Sequence, residues 1–308
     1  MTTPQTEMTH ASAKGFDTRA DRDALTILAM AQVEAARAVE DAVDEIARAA
    51  RMAAESLAAG GRLIYAAAGS SGLMAMADAV ELPGTFGIAQ DRIIVMLAGG
   101  IAALPAMKGG PEDDAEAARS TLAAVNVGPH DCLIALTASG YTPYPMAAVQ
   151  AGRAAGARTI GISNNLGAAL FEHVDVGICL ATPPEVIAGS TRMGAGTAQK
   201  IALNMLSTMV AVHLGHVHDG FMVNVVADNL KLRDRARRIV MGIADVSEEQ
   251  ASHWLAVADG SVKTAIVLAA GADDVASAQR LLSDHQDKLR PVLQALDAGN
   301  KATNRNGD

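Results

Sequence analysis

Aromatic residues are scarce in this chain, with one Trp, three Tyr and four Phe among 308 residues. A core must therefore be built from aliphatic side chains and alanine, and few rings remain on which nucleic-acid bases could stack. An excess of positive charge is missing as well. Lys and Arg total 25 against 34 Asp and Glu, a net charge of −9, so a polyanion is repelled and nucleic acid is not expected as a partner. Cysteine is limited to Cys132 and Cys179. Both fall inside apolar runs, where a thiol acts as a small core hydrophobe rather than as half of a disulfide or a nucleophile. No apolar run is long enough to span a bilayer: the longest, around Leu203 to Leu214, is interrupted by Asn204, Ser207, Thr208 and His213. The first residues lack the charged and apolar regions of a signal peptide. No membrane partner is expected, and a cytoplasmic location is. His213, His216 and His218 do not share one helical face and have no Cys close by in sequence, so no metal site is expected.

What the chain does have is alternation. Unbroken apolar runs at 62–67, 92–97, 132–137, 158–163 and 174–180 read as strands, and the segments 72–81, 113–124 and 143–155 between them read as helices. Such strands, apolar on both faces, predict a parallel sheet covered on both sides, a doubly wound α/β domain with ligands beyond the carboxyl ends of its strands. Helical periodicity also marks 21–59, ended by Gly60-Gly61. It recurs from Glu185 to Leu214, from Asp228 to Gly242, and in shorter runs to about Leu296. Ser247 and Gln250 have the spacing of a capping box.

Two loops stand out. Ala68-Gly69-Ser70-Ser71-Gly72 and Thr137-Ala138-Ser139-Gly140-Tyr141-Thr142 each follow an apolar strand and each open a helix. Free N–H groups, hydroxyls and the positive helix end then point at one spot, so the pair predicts a phosphate site that needs no metal or cofactor.

Three further places have the residue types for chemistry. Glu81 reads as the end of a helix broken by Leu82-Pro83-Gly84, an unfavourable place for a carboxylate. Glu112 lies in a Gly-Pro loop leading into a helix, where acidic residues are commonly structural, although a carboxylate can also act as a general base. Glu185, Ser190 and Arg192 precede Gly194 and Gly196, two residues that weaken a helix and imply close approach of a ligand or of another backbone. Tight packing and substrate contact both fit that stretch.

At these residues the chain resembles the N-acetylmuramic acid 6-phosphate etherases of the sugar isomerase (SIS) superfamily. The likeness runs from Thr6 to about Leu293. It is strongest in Gly61-Arg-Leu-Ile-Tyr65, Gly69-Ser-Ser-Gly72, Pro83-Gly-Thr-Phe-Gly87, Ala138-Ser-Gly140 with Thr142-Pro-Tyr144, and Gly189-Ser-Thr-Arg-Met193 with Ala195-Gly-Thr-Ala-Gln-Lys200. The resemblance implies an SIS-type five-stranded parallel sheet flanked by helices, an N-terminal helical arm and a small C-terminal helical domain. Boundaries are expected at 1–60 for the arm, 61–225 for the sugar-phosphate domain, 226–296 for the helical domain and 297–308 for a disordered tail.

The resemblance also implies cleavage of the lactyl ether at C3 of a sugar phosphate, with Glu81 as proton donor and Glu112 as the second catalytic glutamate. Ser70, Ser71, Ser139 and Thr142 are expected to hold the phosphate, and Glu185, Ser190 and Arg192 to contact substrate. A homodimer is expected through the apolar helix at 201–212. Relatives suggest two other activities, a sugar-phosphate isomerase using Glu185 as base and a non-catalytic sugar-phosphate sensor. Three cationic positions of the family are neutral here, at Leu73, Tyr141 and Gly194, and His10 stands where the family has an Asn.

Overall fold

The computed structural model describes residues 4–305. Five parallel strands, β1 (Leu63–Ala67), β2 (Ile93–Leu97), β3 (Cys132–Leu136), β4 (Arg158–Ser163) and β5 (Val176–Cys179), form one sheet in the order β2-β1-β3-β4-β5. All five expected strands are present, each within two residues of its expected ends. Strand order reverses between β1 and β3, the pair that leads into the two Ser-Gly loops.

Alternate side chains of β1 face opposite layers, as the period of a strand requires. Ile64 and Ala66 pack with Leu133 and Ala135 of β3 against α5 (Ala115–Ala124) and α6 (Pro143–Ala154). Tyr65 points to the other side, where its hydroxyl donates to Asp78 Oδ2 at 3.0 Å on α3 (Gly69–Ala79). Asp78 in turn accepts from Asn204 and Ser207 of α7 (Gly194–His213) at 3.0 and 2.9 Å. The sheet is thus covered on both faces. At the amino ends of β1 and β3, Arg62 grips Asp131 with two guanidinium bonds of 3.0 and 2.7 Å. That pin sits at the opposite end of the two strands from their loops.

The chain divides into two compact units, one of residues up to Val80 with Asp91–Met209, the other of Glu81–Gln90 with the chain from Val210 on. These limits differ from the expected ones. The N-terminal helices α1 (Asp21–Arg37) and α2 (Val43–Ala58) belong with the sheet, and ten residues around Pro83 belong with the C-terminal helices. The helical periodicity read over 21–59 is carried by α1 and α2, separated by a 3-10 turn at Glu40–Ala42.

The helical unit contains α4 (Leu82–Phe86), α8 (Leu230–Ala244), α9 (Glu248–Val257), α10 (Val262–Ala269), α11 (Val275–Asp284) and α12 (Leu289–Arg305) around a core that includes Ile239, Val240, Ile266, Val267 and Val292. The capping box of Ser247 and Gln250 is formed as expected. Helix α12 carries the polar tail expected to be disordered from 297 as far as Arg305, and 306–308 lie outside the described residues. No helix among the described residues is long and apolar enough to cross a membrane.

Candidate functional site

A cavity of about 370 Å³ opens in the sheet unit at the carboxyl ends of β1 and β3. This is the crevice where a doubly wound sheet takes its ligands. Ser70, Ser71, Glu112, Ser139 and Thr142 all line it, so five of the expected site residues meet in one place. No Lys or Arg is among its lining residues.

The β1 loop contributes a helix end. Gly72 N–H makes the first closing bond of α3, to Ala68 O, so the N–H groups of Gly69, Ser70 and Ser71 have no carbonyl within the helix. The N-cap is Ala68, which has no side-chain oxygen to compete for them. The β3 loop contributes hydroxyls. Thr137 Oγ1 lies 2.7 Å from Thr142 Oγ1 and 3.2 Å from Ser139 Oγ, and accepts from Gly140 N–H. Ser139 Oγ also accepts from Tyr141 N–H at 3.2 Å. With a lone pair each used by a backbone N–H group, the Thr137 and Ser139 hydroxyls can rotate their protons toward a bound anion.

Glu112 sits above the β1 loop. It lies in a 3-10 turn, Gly110–Asp113, and the capping of α5 is done by Asp114, which accepts from Ala117 N–H. Glu112 is left to reach across, and a Cβ built on Gly69 would be 2.9 Å from its Oε1. Gly69 also has φ +54°, so both the backbone and the neighbouring carboxylate favour glycine there. Burial, with the charge of Asp113 added, pushes the Glu112 carboxyl up from its ordinary value. A half-buried carboxylate with raised basicity beside an anion cradle can take a proton from a carbon acid held by its phosphate.

The other expected residues are not among the cavity's lining residues. Glu81 belongs to the helical unit, where it is the exposed N-cap of α4 rather than the end of a helix. Pro83 sits in the first turn of α4, where proline is tolerated, so the sequence signal for a helix stop marks a helix start.

Glu185 has a structural task. It is 5% exposed, and its two oxygens accept from the N–H groups of Gly194 and Ala195 at 3.0 and 2.9 Å, capping α7. This is why the helix expected from Glu185 begins only at Gly194; Gly189, at φ +75°, also lies outside helical geometry. Gly194 is small because a Cβ there would lie 2.9 Å from Ala35 Cβ and 3.1 Å from Glu185 Oε2. Close packing therefore accounts for it. Ser190 and Arg192 are not among the cavity's lining residues, whereas their neighbours Gly189 and Thr191 are. Leu73 and Tyr141 are exposed, and His10 accepts from Ser12 N–H.

Thr6, Glu7, Met107, Gly189 and Thr191 also line the cavity, and none of them was expected to hold substrate. Thr137 lines it too and was legible as the first residue of its loop. Thr6 and Glu7 carry no local signal.

Residues 29–164 match the SIS domain family. Over 285 residues the chain is 45% identical to the N-acetylmuramic acid 6-phosphate etherase of Deinococcus radiodurans, covering 91% of this chain and 93% of that one. It is 39% identical to the enzyme of the same name from Geobacillus thermodenitrificans, over 94% of this chain and 98% of the relative. A third such etherase, from Mycolicibacterium smegmatis, is 44% identical over 80% of this chain and 83% of its own.

Proposed function

Because this chain belongs to the N-acetylmuramic acid 6-phosphate etherase family, we propose that it is a carbon–oxygen lyase that removes D-lactate from N-acetylmuramic acid 6-phosphate, or from a closely related sugar phosphate substituted at C3. The observation that carries this reading is the Glu112 carboxylate set over Gly69 in a cavity lined by hydroxyls and helix-end N–H groups. Ser70, Ser71, Ser139 and Thr142, with the adjacent N–H groups, hold the 6-phosphate. In the open-chain sugar the C1 aldehyde acidifies the C2 proton, which passes to Glu112. The C3–O bond then breaks, the departing lactate oxygen takes a proton from Glu81, and water adds to the resulting alkene. Two carboxyl groups in opposite protonation states suit this sequence. The role of Glu81 rests on the family resemblance.

A sugar phosphate is charged and does not cross a bilayer unaided, so the reaction belongs in the cytoplasm, in the reuse of cell-wall amino sugars. Assembly as a homodimer is part of the same reading. It is supported by an apolar groove of about 650 Å³ lined by Val43, Ile46, Ile201, Met205 and Met209, on α2 and α7 of the sheet unit. Light scattering at micromolar concentration is expected to give twice the chain mass, and a monomer removes that part of the proposal.

Incubation with N-acetylmuramic acid 6-phosphate is expected to release D-lactate, while the unphosphorylated sugar releases little. Tight binding of the sugar phosphate with no lactate would turn the protein into a sensor. Equal turnover of both sugars would refute the phosphate cradle.

A further inference from the structure

The cavity holds a second carboxylate that the etherase chemistry does not use. Glu7 ends a 3-10 turn, Gln5–Glu7, and lines the same cavity as Glu112 and Ser139. Its neighbour Thr6 is 2% exposed, far more buried than a polar residue ordinarily is.

The cause is Asn165, itself buried. Asn165 Oδ1 accepts from Thr6 N–H at 3.1 Å, and its Nδ2 donates to Thr6 Oγ1 at 2.9 Å. The same Nδ2 lies 3.2 and 3.1 Å from the carbonyls of Ala138 and Ser139, which share its second hydrogen. One side-chain amide therefore fixes both the β3 loop and the N-terminal turn. With Thr6 fixed, Glu7 is set beside the Gly189 turn, where a Cβ on Gly189 would lie 3.6 Å from Glu7 Oε2.

An ionised carboxylate accepts hydrogen bonds and donates none. In a cavity that held only a phosphate ion it would repel the ligand, and among the described residues no Lys, Arg or His pairs with Glu7 to offset that repulsion. Its placement is productive when the ligand brings O–H or N–H donors alongside the phosphate. We infer that Glu7 binds the donor-bearing part of a phosphorylated amino sugar, a ring or chain hydroxyl or the amide N–H, and so selects sugar phosphates over inorganic phosphate. Thr6 and Asn165 act as positioning residues for it. The inference rests on the sugar-phosphate reading of the cavity.

The two anions respond to Glu7 with opposite signs, which separates recognition from simple damage to the pocket. Titration calorimetry of the full chain with N-acetylglucosamine 6-phosphate and with inorganic phosphate measures both. Glu7→Gln is expected to weaken the sugar phosphate about tenfold, the scale of one hydrogen bond to a charged group. Inorganic phosphate should bind the variant as well as the wild type or more tightly, because a negative charge has left the cavity. Unchanged affinity for the sugar phosphate, or an equal loss for both anions, overturns the assignment. A wild type that binds neither anion, or both equally, overturns the sugar-phosphate reading first and the role of Glu7 with it.

Discussion

Glu112→Gln is expected to lose both ether cleavage and exchange of the C2 proton with D₂O, each by about 10²–10⁴-fold, the usual contribution of one general base. Glu81→Gln should separate these reactions. It loses ether cleavage, whose leaving group needs a proton, yet still eliminates a C3 halide, which departs without one. The acid limb of the wild-type kcat/KM profile gives a second check. Burial and the nearby Asp113 charge raise the Glu112 carboxyl. The base form is therefore lost, as pH falls, at a higher pH than for an ordinary glutamate. Glu112→Gln removes that limb. If Glu112→Gln eliminates the halide at the wild-type rate, Glu112 is not the base and the mechanism proposed here fails.

Gly69→Ala should cost about 10²-fold in kcat, the scale of a catalytic group displaced by roughly 1 Å. The new methyl would lie 2.9 Å from Glu112 Oε1, closer than carbon and oxygen pack, so the carboxylate must swing away from the cradle. The left-handed φ of +54° adds a backbone penalty of about 1–2 kcal/mol, seen as a modest fall in Tm. Gly128→Ala is the matched control: its Cβ would meet nothing within 4 Å and its φ is not positive, so activity and Tm should stay at wild-type values. A Gly69→Ala enzyme with full kcat would mean that the carboxylate's position over the helix end does not matter.

The sheet was legible because each strand is a short, unbroken apolar run, and a strand buried on both faces can hardly be written otherwise. The Ser-Gly loops were legible for a related reason, since small polar residues between such a strand and a helix have few structural uses. Local signals misled where two meanings share one residue type. Pro83 ends helices and also begins them, and only the chain geometry showed which. Glu185 lies near enough to Gly194 in sequence to look helical, while its carboxylate caps the helix from outside. The place of Glu7 at the cavity was beyond reach, because it depends on a bond between Thr6 and Asn165, 159 positions apart, and no spacing in the sequence encodes that partner.

An anion cradle made of N–H and O–H dipoles, with no Lys or Arg among its lining residues, sets how the protein responds to its ionic surroundings. Binding between opposite full charges weakens as salt screens them, over a Debye length of about 8 Å at physiological ionic strength. Fixed dipoles in contact with a phosphate leave little room for such screening, and releasing counterions from basic side chains contributes nothing where none line the site. Salt does screen the repulsion from the Glu7 and Glu112 carboxylates that line the cavity, so affinity for a phosphorylated ligand holds or rises as ionic strength increases. The same pocket offers no foothold to longer polyanions, which compete through many distant charges rather than through one well-fitted phosphate.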